Sequence, residues 1–224
     1  MKYPRKLVMV TVAGVASVCA VSAAGAGGFG YNHDSQQSSG VVKVTYDNPQ
    51  GWTLAENGYS VFVPGGPLGD KSLQIKGQTG GTVVYLPSFG GPARQRLLSE
   101  LTSFGYASQR TLADEPSARI SVSGANTTDG TGNTVLVYEP ARNGWAGFAG
   151  WHRNDALHGL VYSLSPLAGG GCDQTSPCPI SEFLDINPHA QVTNMEFVAT
   201  SGQGAQIDDV IVGFGVATNY DLGG

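Results

Sequence analysis

The segment NTVLVYEP, residues 133–140, is the stretch that most directly indicates how this chain folds. Valine, threonine and tyrosine favour extended backbone, and in an extended chain odd and even positions face opposite sides of a sheet. Val135 and Val137 therefore share one face, while Leu136 and Tyr138 share the other. The segment predicts one strand of a β-sheet.

The same pattern continues through most of the chain. From Val41 onward, short runs rich in Val, Ile, Thr and Tyr alternate with clusters of Gly, Pro, Asn and Asp. Many short strands separated by turns every roughly 8–12 residues are typical of sandwiches and barrels. We predict an all-β fold, an antiparallel, jelly-roll-like β-sandwich with one or two short helices. The predicted strands are Val42–Tyr46, Tyr59–Val63, Ser72–Lys76, Thr82–Leu86, Ser103–Gln109, Arg119–Ser123, Thr134–Glu139, Gly147–His152, Gly159–Leu164, Val192–Ala199, Gln206–Val212 and Gly215–Asn219.

Two segments are predicted to be helical. ISEFLDI, residues 180–186, places its apolar side chains on one face of two helical turns, and Pro188 lies just beyond it. RQRLLSEL, residues 94–101, is predicted to form one or two helical turns. A doubly wound α/β fold would need several helices of about ten residues, and the sequence does not offer them.

The N-terminus has the layout of a secretory signal peptide. Lys2, Arg5 and Lys6 precede an apolar run over residues 7–21, and small residues up to Ala26 end it. The run is too short for a stable transmembrane anchor, and its small residues provide a cleavage site. The sequence therefore predicts export from the cell.

This layout divides the chain into three parts. We predict a signal peptide over residues 1–26, a flexible leader rich in Gly, Ser, Gln and Asn over residues 27–40, and a single β-sandwich domain over residues 41–224. After cleavage no membrane span is expected, and the protein is predicted to be secreted and extracellular.

The charge balance excludes some partners. The formal net charge of the full chain is −5, and it becomes −8 without the three positive charges of the predicted signal peptide. Nucleic acids and anionic membranes require a basic surface, so neither is an expected partner. Only 13% of the residues are charged, and a surface of neutral polar side chains suits sugars.

The cysteines predict one disulfide. Cys19 lies in the apolar run of the signal peptide, so Cys172 and Cys178 remain in the mature chain. Outside the cell, two nearby cysteines with a turn between them are expected to pair. Closing so short a loop is worth about 2–3 kcal/mol in the chain-entropy model. The spacing does not support a redox-active pair.

A family resemblance is carried by six segments: VTYDNPQGWTLAENG (44–58), LTSFGYASQR (101–110), NTVLVYEP (133–140), the loop with the cysteine pair, ISEFLDINPHAQV (180–192) and GAQIDDVIVGFGVATNYDL (204–222). In order and spacing they resemble uncharacterised bacterial secreted proteins without an established activity. The resemblance implies a jelly-roll-like sandwich outside the cell and offers no catalytic residues. IDDV (207–210) is more weakly similar to the last strand of galactose-binding-like carbohydrate-binding modules.

The tryptophans supply the candidate ligand-binding residues. Trp145 and Trp151 bracket a small-residue segment, and Arg153 follows closely. Sugar rings bind flat aromatic faces flanked by polar side chains, so we predict that these three residues contact a ligand. The alternative is that the tryptophans plug the core, which is the expectation for Trp52.

Asp208 and Asp209 are out of place in an otherwise apolar strand. Hydrophobic residues surround them on both faces, so at least one carboxylate is expected beside the core, where it needs a partner. A structural calcium ion, completed by backbone carbonyls, is one candidate. Backbone N–H groups or an arginine such as Arg119 would serve equally well.

The predicted function is a secreted, non-catalytic binding or surface-associated protein, with a glycan or another cell-surface polymer as the partner. One alternative is a polysaccharide-active enzyme, either a glycosidase that uses Glu139 or a lyase that uses Arg153, His158 and Tyr162. The other alternative is a structural extracellular protein without a small ligand. No catalytic residue is assigned, and no serine-hydrolase or phosphate-loop motif occurs.

Overall fold

The computed structural model describes residues 40–56, 59–78, 81–88, 95–109, 115–200 and 204–224. Within these ranges the chain is an all-β sandwich of two seven-stranded sheets, which confirms the predicted fold class. The predicted signal peptide and all but the last residue of the predicted leader lie outside the described residues. Among the described helices, none has the length and apolar character to cross a bilayer.

The first sheet contains the N- and C-terminal strands of the domain. Its main path runs β1-β14-β13-β3-β2, with β6 also paired to β13 and β9 paired to β6. All its pairings are antiparallel except β1 with β14, which is parallel. The strands are β1 (Val41–Val44), β2 (Ser60–Pro64), β3 (Lys71–Ile75), β6 (Ser103–Gln109), β9 (His152–Asp155), β13 (Ala205–Phe214) and β14 (Val216–Leu222).

The second sheet is antiparallel throughout. Its path runs β11-β10-β8-β7-β12-β4, and the short strand β5 also pairs with β12. The strands are β4 (Thr82–Tyr85), β5 (Arg96–Leu97), β7 (Ser117–Ser123), β8 (Asn133–Tyr138), β10 (Leu160–Ser163), β11 (Cys178–Pro179) and β12 (Gln191–Ala199).

Aromatic side chains join the two sheets. Phe197 on β12 lies at the centre, with ring-centroid distances of 4.7 Å to Tyr106 and 6.2 Å to Phe104, both on β6. Trp52 stacks on the same phenylalanine and meets Tyr220 of β14 edge-on, which confirms it as a core residue. Burying each such ring contributes about 1.5–3 kcal/mol, so this contact is a main source of sheet-to-sheet cohesion.

The predicted helix over Ile180–Ile186 is confirmed as α1. Ile180 and Phe183 form its buried face, as the apolar spacing requires. The helix ends where the side-chain amide of Asn187 donates to the Phe183 carbonyl at 2.9 Å, directly before a proline. The Cys172–Cys178 disulfide is also confirmed, and both cysteines are buried beside this helix.

Two local predictions need correction. Gly147–Trp151 is a loop rather than a strand, and β9 begins only at His152, because Gly147 adopts a positive φ of 79° that breaks the extended backbone. In the predicted helical segment 94–101, the described part is the two-residue strand β5 followed by one 3-10 turn over Leu98–Glu100.

Candidate functional site

A tight loop after β8 positions the most exposed group of aromatic rings. Pro140–Asn143 forms a 3-10 helix, for which proline is a favourable first residue. Gly144 ends it in the left-handed conformation, with φ of 95°. Asn143 then ties the loop to the domain, since its side chain accepts from the Leu160 N–H at 2.7 Å and donates to the Glu139 carbonyl at 3.0 Å.

The next turn brings two aromatic residues together. The Phe148 N–H donates to the Trp145 carbonyl at 3.1 Å, and Gly147 at the third position of the turn has a φ of 79°, which glycine adopts without a steric penalty. The Trp145 and Phe148 rings meet edge-on, with centroids 5.5 Å apart. Sequence analysis missed Phe148, although its spacing from Trp145 across a glycine is typical of a turn that pairs two side chains.

The imidazole of His152 lies beneath both rings. It stacks on Trp145 at a centroid distance of 4.3 Å and an interplanar angle of 26°, and it meets Phe148 edge-on at 5.4 Å. Phe148 is 45% exposed and Trp145 is partly exposed. We call Trp145, Phe148 and His152 the aromatic platform. Its exposed part consists of the apolar rings of Trp145 and Phe148, which contact the buried, polar imidazole of His152.

Buried polar contacts hold the base of the platform. His152 Nε2 lies 3.1 Å from Glu115 Oε2, and the side chains of these two residues are only 2% and 6% exposed. Nδ1 of the same ring lies 3.1 Å from the carbonyl oxygen of Gly150, inside the platform loop. The imidazole therefore joins the loop to the body of the domain.

This group of residues is not a hydrolytic triad. Ser108 Oγ lies 3.4 Å from His152 Nε2, the same nitrogen that faces Glu115, whereas a triad needs the serine and the acid on different nitrogens. Ser108 is fully buried and accepts from the Asn154 amide at 2.7 Å. These residues close one end of the core and offer no nucleophile to a substrate.

Arg153 lies on the other face of β9, because consecutive strand residues point in opposite directions. Its guanidinium Nη2 forms an ion pair with Asp209 Oδ2, at the point where the register between β13 and β6 shifts between Asp208 and Ile211. The structure thus brings together a predicted ligand residue and a predicted metal residue, and it separates Arg153 from Trp145. Trp151 is partly exposed directly before β9.

Asp208 occupies a junction between two strands. Along one side of β13, the pairing with β3 extends to Ile207, opposite Leu73, and the pairing with β14 starts at Val210, opposite Tyr220. At the gap, the carboxylate of Asp208 accepts from the N–H groups of Leu222 at 2.9 Å and Leu68 at 3.0 Å. The side chain therefore supplies the acceptors at the position where the pairing partner of β13 changes.

Burial raises the pKa of Asp208 to about 7, and the nearby Asp221 adds to this rise. The two N–H donors and Arg153 oppose it. Burial likewise raises the pKa of Asp221, with Lys43 opposing the rise. Among the described residues, no group of three or more His, Cys, Asp or Glu side chains is arranged to hold a metal ion. The calcium site stays a prediction. Two N–H groups pair with Asp208 and Arg153 pairs with Asp209 Oδ2, while Asp209 Oδ1 is buried without a hydrogen-bond partner within the described residues.

The residues of the enzymatic alternatives pair with different carboxylates. Tyr162 Oη on β10 donates to Glu139 at 2.8 Å, and burial followed by this bond raises the tyrosine pKa to about 12. His158 contacts Asp155 at 2.8 Å and its side chain is 76% exposed. Arg153 belongs to the opposite sheet. The lyase set is therefore spread over two sheets and a connecting turn.

Glu139 has two partners of its own. Its second carboxylate oxygen accepts from Arg142 at 2.5 Å, and the guanidinium of this arginine also covers the Tyr162 ring at 5.3 Å and donates to the Gln174 carbonyl at 3.0 Å. A cavity of about 300 Å³ lies nearby, lined by Tyr162, Leu164 and Gln174 among others. The arrangement ties the disulfide loop to the 3-10 helix.

No family model, curated protein sequence or solved structure matches this chain. The site is therefore interpreted from its own geometry.

Proposed function

We propose that this protein is an exported, non-catalytic binding protein that recognises carbohydrate through the aromatic platform. The observation that carries the proposal is the stacking of partly exposed Trp145 on the buried His152, with Phe148 45% exposed beside it. Sugar rings present C–H groups on one face, and these pack against indole and phenyl rings.

The platform is preorganised, which favours binding of a weakly interacting ligand. The Trp145 ring rests on an imidazole that contacts Glu115 and Gly150, and the turn between Trp145 and Phe148 is closed by a backbone hydrogen bond. Side chains that are already ordered lose little conformational entropy when a ligand binds. The buried Cys172–Cys178 disulfide supports an oxidising compartment such as the cell exterior.

A glycan array read with the mature protein tests the proposal. We expect binding to at least one glycan class, and we expect Trp145→Ala to weaken it about tenfold or more, a loss of about 1.4 kcal/mol. Tyr85→Ala is the matched control, because Tyr85 is also exposed, at 39%, but lies on β4, which β7 and β12 separate from β8, the strand before the platform loop. Absence of binding to every glycan, or equal effects of the two substitutions, would refute the proposal.

A further inference from the structure

The ring contacts of Trp145 involve one face of its indole and one side. The imidazole of His152 stacks on one face, at a centroid distance of 4.3 Å and an interplanar angle of 26°. The Phe148 ring lies 5.5 Å from the Trp145 ring and 5.4 Å from the imidazole. Because these two distances are nearly equal, Phe148 stands beside the stacked pair; a ring on the outer face of the indole would lie much farther from His152. Among the described aromatic rings, none covers that outer face, and Trp145 is partly exposed.

The two exposed rings of the platform do not form a flat surface. The planes of Trp145 and Phe148 differ by 62°. Phe148 is held at this angle by its edge-on contact with His152, at 88°, and by the hydrogen bond from its N–H to the Trp145 carbonyl. The imidazole and the indole are close to parallel, so turning Phe148 parallel to Trp145 would also break its edge-on contact with His152. The angle between the exposed rings is therefore a fixed property of the platform.

This angle decides which form of a carbohydrate the platform fits. The surface of a packed, insoluble polysaccharide presents its sugar rings in one plane, so two aromatic rings stack on it together only when their own planes are parallel. A single sugar ring needs only one aromatic face, against which it packs its C–H groups. Trp145 offers one such face, and Phe148, which is 45% exposed, stands at its side. The platform therefore has the geometry to bind one sugar ring.

We propose that the aromatic platform binds one sugar residue of a soluble glycan and does not bind the flat surface of an insoluble polysaccharide. This inference rests on the function proposed above and specifies its ligand. A pyranose with C–H groups together on one ring face stacks on the outer face of Trp145, and its substituents reach Phe148. A contact with one sugar residue buries little surface, so we expect a dissociation constant of about 1 mM.

A series of chain lengths tests the inference. The probes are the methyl glycoside, the disaccharide and the tetrasaccharide of β-1,4-linked glucose, of β-1,4-linked N-acetylglucosamine and of any other glycan that binds on the array. Nuclear magnetic resonance titrations follow the indole N–H of Trp145, with the indole N–H of the core residue Trp52 as the internal control. We expect the dissociation constant of a bound sugar to change less than about threefold from one residue to four. A gain of about tenfold or more, as would follow if Trp151 bound a second sugar residue, would overturn the inference.

Sedimentation with microcrystalline cellulose and with crystalline chitin tests the second half of the inference. We expect the wild-type protein to stay in solution, as Trp145→Ala does. Sedimentation that depends on Trp145 and that the soluble tetrasaccharide does not reverse would overturn the inference. Phe148→Ala supplies a further check, because the same factor of about two- to tenfold should weaken binding of the methyl glycoside and of the tetrasaccharide. A loss confined to the tetrasaccharide would contradict a site for one residue.

These measurements separate the inference from the proposed function. Binding that depends on Trp145 and is independent of chain length supports both. Binding that depends on Trp145 but strengthens with chain length, or occurs only on packed polysaccharide, overturns the site for one residue and leaves the proposed function in place. Absence of binding to every soluble and insoluble glycan refutes the proposed function and the inference with it.

Discussion

Replacing Asp208 by asparagine is the sharpest test of the strand junction. Asp208 is fully buried, and its pKa is about 7 in the folded protein against the usual 3.8. The folded state therefore binds a proton more tightly than the unfolded state, and stability falls as the pH rises between about 4 and about 7. At 1.36 kcal/mol for each pKa unit, the loss for this group is at most about 4 kcal/mol.

Asparagine removes the titration but also one hydrogen bond. Its carbonyl oxygen can accept from either Leu222 or Leu68, while its amide group must face the other N–H. A buried donor left without an acceptor costs about 1–3 kcal/mol. We therefore expect Asp208→Asn to be less stable than the wild type near pH 4.5, by about this amount, and we expect the difference to close or reverse above about pH 8.

Urea unfolding of both proteins at several pH values measures this difference directly, because effects of other groups largely cancel in it. Asp129→Asn is the control. Asp129 is exposed, and hydrogen bonds from Thr127 and Thr131 lower its pKa, so its charge does not change in this range. A difference between the wild type and Asp208→Asn that stays constant, or grows in favour of the wild type as the pH rises, would refute the account of the junction.

Two further predictions concern the disulfide and calcium. Replacing both Cys172 and Cys178 by alanine should lower the free energy of unfolding by about 2 kcal/mol; a reductant should have a similar effect on the wild type and none on the double variant, and a wild type indifferent to the reductant would contradict this. For the predicted calcium site at Asp208 and Asp209, the melting temperature should be several degrees higher with calcium than with a chelator, because an ion that binds only the folded state stabilises it. Superimposable melting curves would reject the site.

Local pattern predicted most of the strands, because the residues that alternate between core and outer face do so within one short segment. The strand over Ser103–Gln109 and the helix over Ile180–Ile186 match the structure residue for residue. The strand predicted over Gly147–His152 was wrong for the same reason. Phe148 and Trp151 among small residues suggest a strand, but the hydrogen bond from the Phe148 N–H closes a turn there. Composition alone does not reveal that hydrogen bond.

The contacts of the candidate site join residues that are far apart in the sequence, so no local sequence pattern predicts them. Glu115 and His152 are 37 positions apart, and they meet through the pairing of β6 with β9 and the path of the chain into β7. The carboxylates at 208 and 209 were recognised as misplaced, but their roles follow from the exchange of β3 for β14 along β13 and from the ion pair of Arg153 with Asp209 at the register shift between β13 and β6. Sequence reasoning identified the anomaly, and the sheet topology explains it.

The two buried carboxylates, Asp208 and Glu115, differ in whether their contacts extend to an exposed side chain. Asp208 lies between strand ends, with its oxygens held by two backbone N–H groups, so its ionisation can alter stability but meets no ligand. The Glu115 side chain is only 6% exposed, and the imidazole it contacts stacks on a partly exposed indole. Only at the second site does one ring connect a buried charge to the surface. Substitutions in the aromatic platform therefore test ligand binding, and substitutions of the aspartates of β13 test the stability of the domain.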